Sequence, residues 1–164
     1  MTHTQQIEDT YVYNSKDVAF YLIAKANERK VGINVTKVQK LLYIIYGTYL
    51  RVYGQRLLDE HPKAWPYGPV FPKTRTAILR LNCEGELEYP MESVLDGLKS
   101  DEKLNRVFDF AFNYFGAWNS GQLTEWSHRE GSPWDITTKQ EGFKWGNPIP
   151  DSSILDFFTK LVRV

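Results

Sequence analysis

The run VQKLLYIIYGTYLRV, residues 38–52, constrains this chain more than any other stretch. Val38, Leu41, Leu42, Ile45, Tyr49 and Val52 recur at i, i+3, i+4 and i+7 spacing, while Tyr43, Ile44 and Leu50 occupy the other side. Such a helix has no polar face to turn to water, so it must be enclosed by the rest of the chain. Thr36 and Gln39 stand at capping-box spacing before it, and Gly54 supplies a C-terminal stop after Tyr53. The most apolar part, Leu41 to Leu50, is about half the length of a bilayer span, which predicts a core helix and no membrane association.

The flanking segments supply the enclosure. Asn14 is placed to cap a first helix with Asp17 in its first turn, and Val18, Ala19, Leu22, Ile23 and Ala26 form its inner stripe up to a break at Gly32. Pro72 suits the first turn of a third helix anchored by Ile78 and Leu79. A short strand at Leu87–Tyr89 and a short helix after Met91 are expected next. Ser100 is placed to cap a fourth long helix with Leu104, Val107, Phe108, Ala111, Phe112 and Phe115 inside. A shorter helix runs from Ser120 to about His128 and is broken by Gly131, Ser132 and Pro133. Residues 135–150 read as loop, and a last helix begins near Asp151. The expected fold is mainly α: one compact domain of about six helices, with a small strand pair or ordered loop between the second and third. Residues 1–13 read as a loose N-terminal arm and 14–164 as the domain.

Twenty basic and twenty acidic side chains give zero net charge, which disfavours a polycation that wraps nucleic acid. The one cysteine, Cys83, has no internal disulfide partner and reads as an inert thiol in a reducing cytoplasm; the polar, acidic start is unlike a signal peptide. No phosphate-binding glycine loop or nucleophile elbow occurs, so no catalytic residue and no cofactor are assigned. Asp59, Glu60 and His61 form an acidic cluster, but adjacent side chains rarely converge on one centre; the cluster reads as a solvated loop and no metal is assigned. His128 and Glu130 could form an acid–base pair, yet a histidine closing a helix reads first as a ligand for its last carbonyls. Lys25, Arg29, Lys30, Lys37 and Lys40 gather near the first helix junction and read as a solvated face rather than a phosphate patch.

The segment 54–70, GQRLLDEHPKAWPYGPV, holds three prolines and two glycines. Within it, Trp65-Pro66-Tyr67-Gly68-Pro69-Val70 combines a proline-stiffened backbone with two large amphipathic rings. A stiff aromatic loop loses little entropy on binding and makes a good recognition surface. The same rings could instead plug the core as an ordered lid, and the two readings are compatible.

Taken together, Val38-Gln39-Lys40-Leu41-Leu42-Tyr43, Gly47, Tyr49 and Leu50, Leu58-Asp59-Glu60, and Ala64-Trp65-Pro66-Tyr67-Gly68-Pro69-Val70 resemble the Panacea domain, the SocA/GepA-like family. Leu123-Thr124-Glu125-Trp126-Ser127-His128 with Ser132-Pro133-Trp134 is similar to that family's second block, whose usual form is Thr-His and then Pro-Trp. The resemblance runs from about Asn14 to Phe158. Ser127 departs from the usual Thr, and Arg75 stands where a Tyr often follows the Gly-Pro-Val turn.

The resemblance implies an antitoxin of a bacterial or phage toxin–antitoxin pair, whose partner is a cognate protein toxin neutralised by direct contact. It implies no catalytic residue and no direct nucleic-acid binding, since the chain is too short to hold a helix-turn-helix domain beside this one. Loop rigidity and the family blocks together point to Trp65, Tyr67, Gly68, Pro69, Val70, Arg75, His128, Pro133 and Trp134 as the partner-binding residues. One relative's role as a proteolytic adaptor makes a protease a second candidate partner. A small ligand-binding or enzymatic domain using His128 and Asp59–Glu60 is a third reading. Oligomeric state is left open.

Overall fold

The structure, a computed structural model, describes residues 10–81 and 85–163; Cys83 lies outside them. A short strand β1 (Tyr11–Tyr13) precedes helices α1 (Ser15–Glu28) and α2 (Val35–Tyr53). Three short strands follow: β2 (Arg56–Leu58), β3 (Lys63–Trp65) and β4 (Gly68–Val70). Then come α3 (Pro72–Leu79), a 3-10 turn (Met91–Ser93), α4 (Asp96–Lys99), α5 (Glu102–Phe115), α6 (Ser120–His128), α7 (Pro133–Thr138) and α8 (Asp151–Leu161). The domain is mainly α, with eight α-helices among the described residues where about six were expected; the 3-10 turn and α4 fall where a short helix was expected after Met91, and α7 lies in the stretch read as loop.

α2 is the axis. Every residue from Lys37 to Leu50 is buried, and α1, α3, α5, α6, α8, β2 and β4 all pack against it. Gly54 ends it in the left-handed conformation at φ 67°, donating its N–H to Leu50 O at 2.9 Å, as a glycine stop does. Its start differs from the expectation. The cap is Asn34, whose side chain accepts from Lys37 N at 2.9 Å; the Thr36–Gln39 box does not form, because Gln39 is buried and bonded to other elements.

Other boundaries shift for similar local reasons. Asn14 caps α1 as expected. Asp101, not Ser100, caps α5 by accepting from Leu104 N, while the Ser100 hydroxyl turns back to Asp96 O. No strand forms at Leu87–Tyr89. The Asn27 side chain takes the place of a strand partner there, donating to Leu87 O and accepting from Tyr89 N. Within the expected 135–150 loop, α7 continues through Thr138 because Ser132 caps it and Pro133 fills its first turn. Residues 11–13, read as part of the arm, pair in parallel with β2, Tyr11 opposite Arg56 and Tyr13 opposite Leu58.

Two features set helix positions around α2. The Tyr46 hydroxyl donates to Asp151 in the first turn of α8. Gly47 lets the Phe158 ring of α8 lie against the α2 backbone: a Cβ at residue 47 would sit 2.2 Å from Phe158 Cε2. Among the described residues no helix is long and apolar enough to cross a membrane.

Gly47→Ala is therefore an overpacking substitution. A loss of about 1–3 kcal/mol in urea unfolding is expected; unchanged stability would mean that α8 shifts away from α2 at no cost.

Candidate partner-binding surface

The loop carrying the aromatic motif is built on polar side chains of α2. Gln39 Oε1 accepts from Phe71 N at 2.6 Å, and its Nε2 donates to Thr74 Oγ1 at 3.0 Å. One turn of loop earlier, Lys40 Nζ donates to Pro69 O at 3.1 Å. Lys37 reaches in another direction and donates to Gly116 O at the end of α5. All three side chains are buried, Lys40 to 1% exposure, and Lys37 has Glu86 close enough to act on its charge. Burial lowers the Lys40 pKa to about 8; it also lowers that of Lys37, with Glu86 opposing.

On the far side of the loop, Glu60 fixes the start of α3. Its carboxylate accepts from the Ser15 hydroxyl at 2.6 Å, Lys73 N at 3.0 Å and Thr74 N at 3.3 Å, while Asp59 accepts from Ser15 N. The Asp59–Glu60–His61 cluster is thus a structural tie, not the solvated loop expected: Glu60 is buried, and His61 turns away to Arg56. The basic group read as one solvated face also divides. Lys37 and Lys40 are interior, and Lys25 and Arg29 pair with Glu28 and Asp109. Among the described residues no three metal-binding side chains converge.

The motif itself is a hairpin. β3 and β4 pair antiparallel with Lys63 opposite Val70 and Trp65 opposite Gly68, leaving Pro66 and Tyr67 at the tip. Gly68 adopts φ 111°, and a Cβ there would meet Ser127 Oγ at 2.7 Å and Lys40 Cε at 3.0 Å, so only glycine fits on both counts. Residues 146–149 run along the other edge of β3: Gly146 N donates to Ala64 O, Ala64 N to Asn147 O, and Ile149 N to Pro62 O.

This arrangement brings most of the expected site residues together and separates their roles. Gly68, Pro69, Val70 and Pro133 are buried and shape the frame. Trp65 is half-buried, with the Arg75 guanidinium 5.3 Å over its ring, so the arginine that replaces the usual tyrosine still meets the loop. Trp134 Nε1 donates to Trp65 O at 2.8 Å, and its ring stacks on His128 at 3.9 Å. Tyr67 stands out at the tip, 73% exposed. His128 does not bond the helix carbonyls as expected. It faces the hairpin, its Nε2 buried without a partner; burial and the nearby Lys40 charge lower its pKa against a hydrogen bond with the Tyr67 backbone. The Ser127 hydroxyl donates to Thr124 O within α6.

One ring escaped the sequence reading. Trp145, in the stretch read as loop, is 57% exposed, lies 6.2 Å from Trp134 and meets Phe143 edge-on at 5.1 Å. Its signal was present as the aromatic–glycine–proline cluster Phe143-Lys144-Trp145-Gly146-Asn147-Pro148, but nothing local shows that this turn is stitched to β3. His128, Trp134, Trp145 and Phe143 thereby form a chain of ring contacts on a hydrogen-bonded base, and the Tyr67 backbone joins it at His128.

The two sequence blocks that define the motif are therefore in direct contact, and the match to known families has the same span. Residues 38–135 match the Antitoxin SocA-like, Panacea domain family, and the chain belongs to it. A similar protein is the Antitoxin SocA of Caulobacter vibrioides (strain NA1000 / CB15N), 26% identical over 150 residues covering 85% of this chain and 78% of that protein. No solved structure matches the chain.

Two substitutions test the frame. Gln39→Ala orphans the buried Phe71 N–H, and a loss of about 1–3 kcal/mol is expected in chemical unfolding. Lys40 binds its proton more weakly folded than unfolded, so it destabilises the native state most below pH 8 and less as pH rises toward its unfolded value near 10.4. Relative to Lys40→Met, the wild type should gain about 2 kcal/mol between roughly pH 7.5 and 9.5. Parallel stability curves for the two proteins would show that Lys40 is solvated.

Proposed function

We propose that the chain is an antitoxin that neutralises a cognate protein toxin by direct contact, docking it on the aromatic surface around the β3–β4 hairpin and Trp145. Family membership supports the antitoxin role. The observation that carries the choice of surface is the placement of two largely exposed rings, Tyr67 and Trp145, on segments hydrogen-bonded to each other. Isolated exposed rings are ordinary on soluble proteins. A contiguous set held by buried hydrogen bonds is a pre-organised interface, because the entropy of ordering it is already lost in folding. Tyrosine and tryptophan also dominate the strongest positions of protein interfaces.

Neutralisation of this kind is steric: the bound antitoxin covers a working surface of the toxin. It requires no group on this chain to make or break a bond, and a proton-transfer role for His128 and Glu130 gains nothing from the geometry, since the imidazole is engaged with Trp134 and the hairpin.

Tyr67→Ala and Trp145→Ala should each weaken binding of the toxin by about 2 kcal/mol, near thirtyfold, with helicity and thermal stability close to wild type. Isothermal titration and co-expression rescue both read this. Trp134→Ala should lower stability as well, since it removes the bond to Trp65 O. Full neutralisation by the Tyr67→Ala/Trp145→Ala double variant would place the interface elsewhere.

A further inference from the structure

We propose that this surface receives an acidic segment of the partner protein, with carboxylates seated beside the aromatic rings; the proposal rests on the toxin-docking reading above. The chain is neutral as a whole, with twenty basic and twenty acidic side chains, so any local excess of one sign has been segregated by the fold. Around the rings the excess is positive. Lys63 and Trp65 share the outward face of β3, because the residue between them, Ala64, is buried and strand side chains alternate. Arg75 lies over Trp65. Lys144 adjoins Trp145. None of these three cations forms an ion pair among the described residues.

The neighbouring carboxylates, Glu141 apart, are already committed. Glu60 and Asp59 accept from Ser15, Lys73 and Thr74. Asp135 holds Gly131 N and Lys139 Nζ. Glu141 is exposed and shares a groove with Phe143, one carboxylate against the three cations. Beneath the hairpin, Lys40 adds a buried ammonium that donates to Pro69 O and forms no ion pair among the described residues. Arg75 is the most informative of the set. A guanidinium stacked on an indole keeps its planar N–H edge open, and that edge matches a carboxylate in bidentate geometry. Rings and cations interleaved in this way suit a peptide that alternates apolar and acidic side chains.

Stacked bases with phosphates would answer to similar chemistry, so the test carries both arms. Fluorescence anisotropy compares a short dye-labelled Glu–Leu alternating peptide, its Gln–Leu counterpart and a short oligouridine, each against the full chain at low and high salt. The expected result is binding of the acidic peptide at least about tenfold tighter than the glutamine peptide, weakening with salt, and lost in the Lys63→Glu/Arg75→Glu/Lys144→Glu variant. Equal binding of the two peptides, no binding of the acidic one, or preference for the oligonucleotide overturns the proposal. Circular dichroism of the triple variant, all three changes being at non-core positions, establishes that it is folded. Toxin neutralisation separates the two readings: loss with Tyr67→Ala/Trp145→Ala but not with the charge reversal sinks the acidic partner alone. Neutralisation indifferent to both, with peptide discrimination intact, sinks the toxin-docking reading and leaves the acidic preference standing.

Discussion

The candidate surface depends first on the burial of Gln39 and Lys40 in the first turns of α2, with Lys37 beside them tying down the end of α5. A polar group taken out of water destabilises the fold unless it finds a partner, and the penalty is greater for a charge. Each of these side chains finds its partners in another element: Gly116 after α5, Phe71 and Thr74 at the start of α3, and Pro69 in β4. Three chain segments are thereby held in place by the central helix through directional bonds as well as apolar packing. The frame is specific because the alternatives leave an orphaned donor inside the protein.

That frame separates two populations of aromatic side chains in a ring-rich chain. Tyr21, Tyr43, Tyr46, Phe71, Phe108 and Phe158 are fully buried. Tyr67 and Trp145 are presented outward, with Trp65, Trp134 and His128 half-buried between the two sets. The intermediate residues serve both sides, as the Trp134 bond to Trp65 O and its stacking on His128 show. The recognition and lid readings of the Trp65–Val70 loop thus apply to different residues of it: Gly68, Pro69 and Val70 are structural, while Tyr67 stands free.

The sequence was legible where a local rule decides the structure. The apolar spacing of α2, the Asn14 cap, the Gly54 stop and the extent of α6 all follow from helix periodicity and terminus chemistry, and all are found. It was illegible where a side chain bonds at long range. Gln39 stands at capping-box spacing but turns to Phe71, thirty-two positions away; Glu60 looks solvated but ties Ser15 to Thr74; Asn27 replaces the strand expected at Leu87–Tyr89. Trp145 was missed for the same reason, since its place beside β3 is set by backbone pairing to residues some eighty positions earlier. The family blocks carried this long-range information in another form: the polar pair of one and the glycine-proline turn of the other are two halves of one contact.

Amide hydrogen exchange across residues 63–71 of the free protein tests most directly whether the loop is held from within before any partner arrives. Protection of Phe71 N–H and the β3–β4 amides close to that of the α2 interior, lost only with global unfolding, is the expected result. Exchange of these amides through local opening, at rates typical of a surface loop, would contradict a pre-organised surface and leave the aromatic ridge to form only on binding.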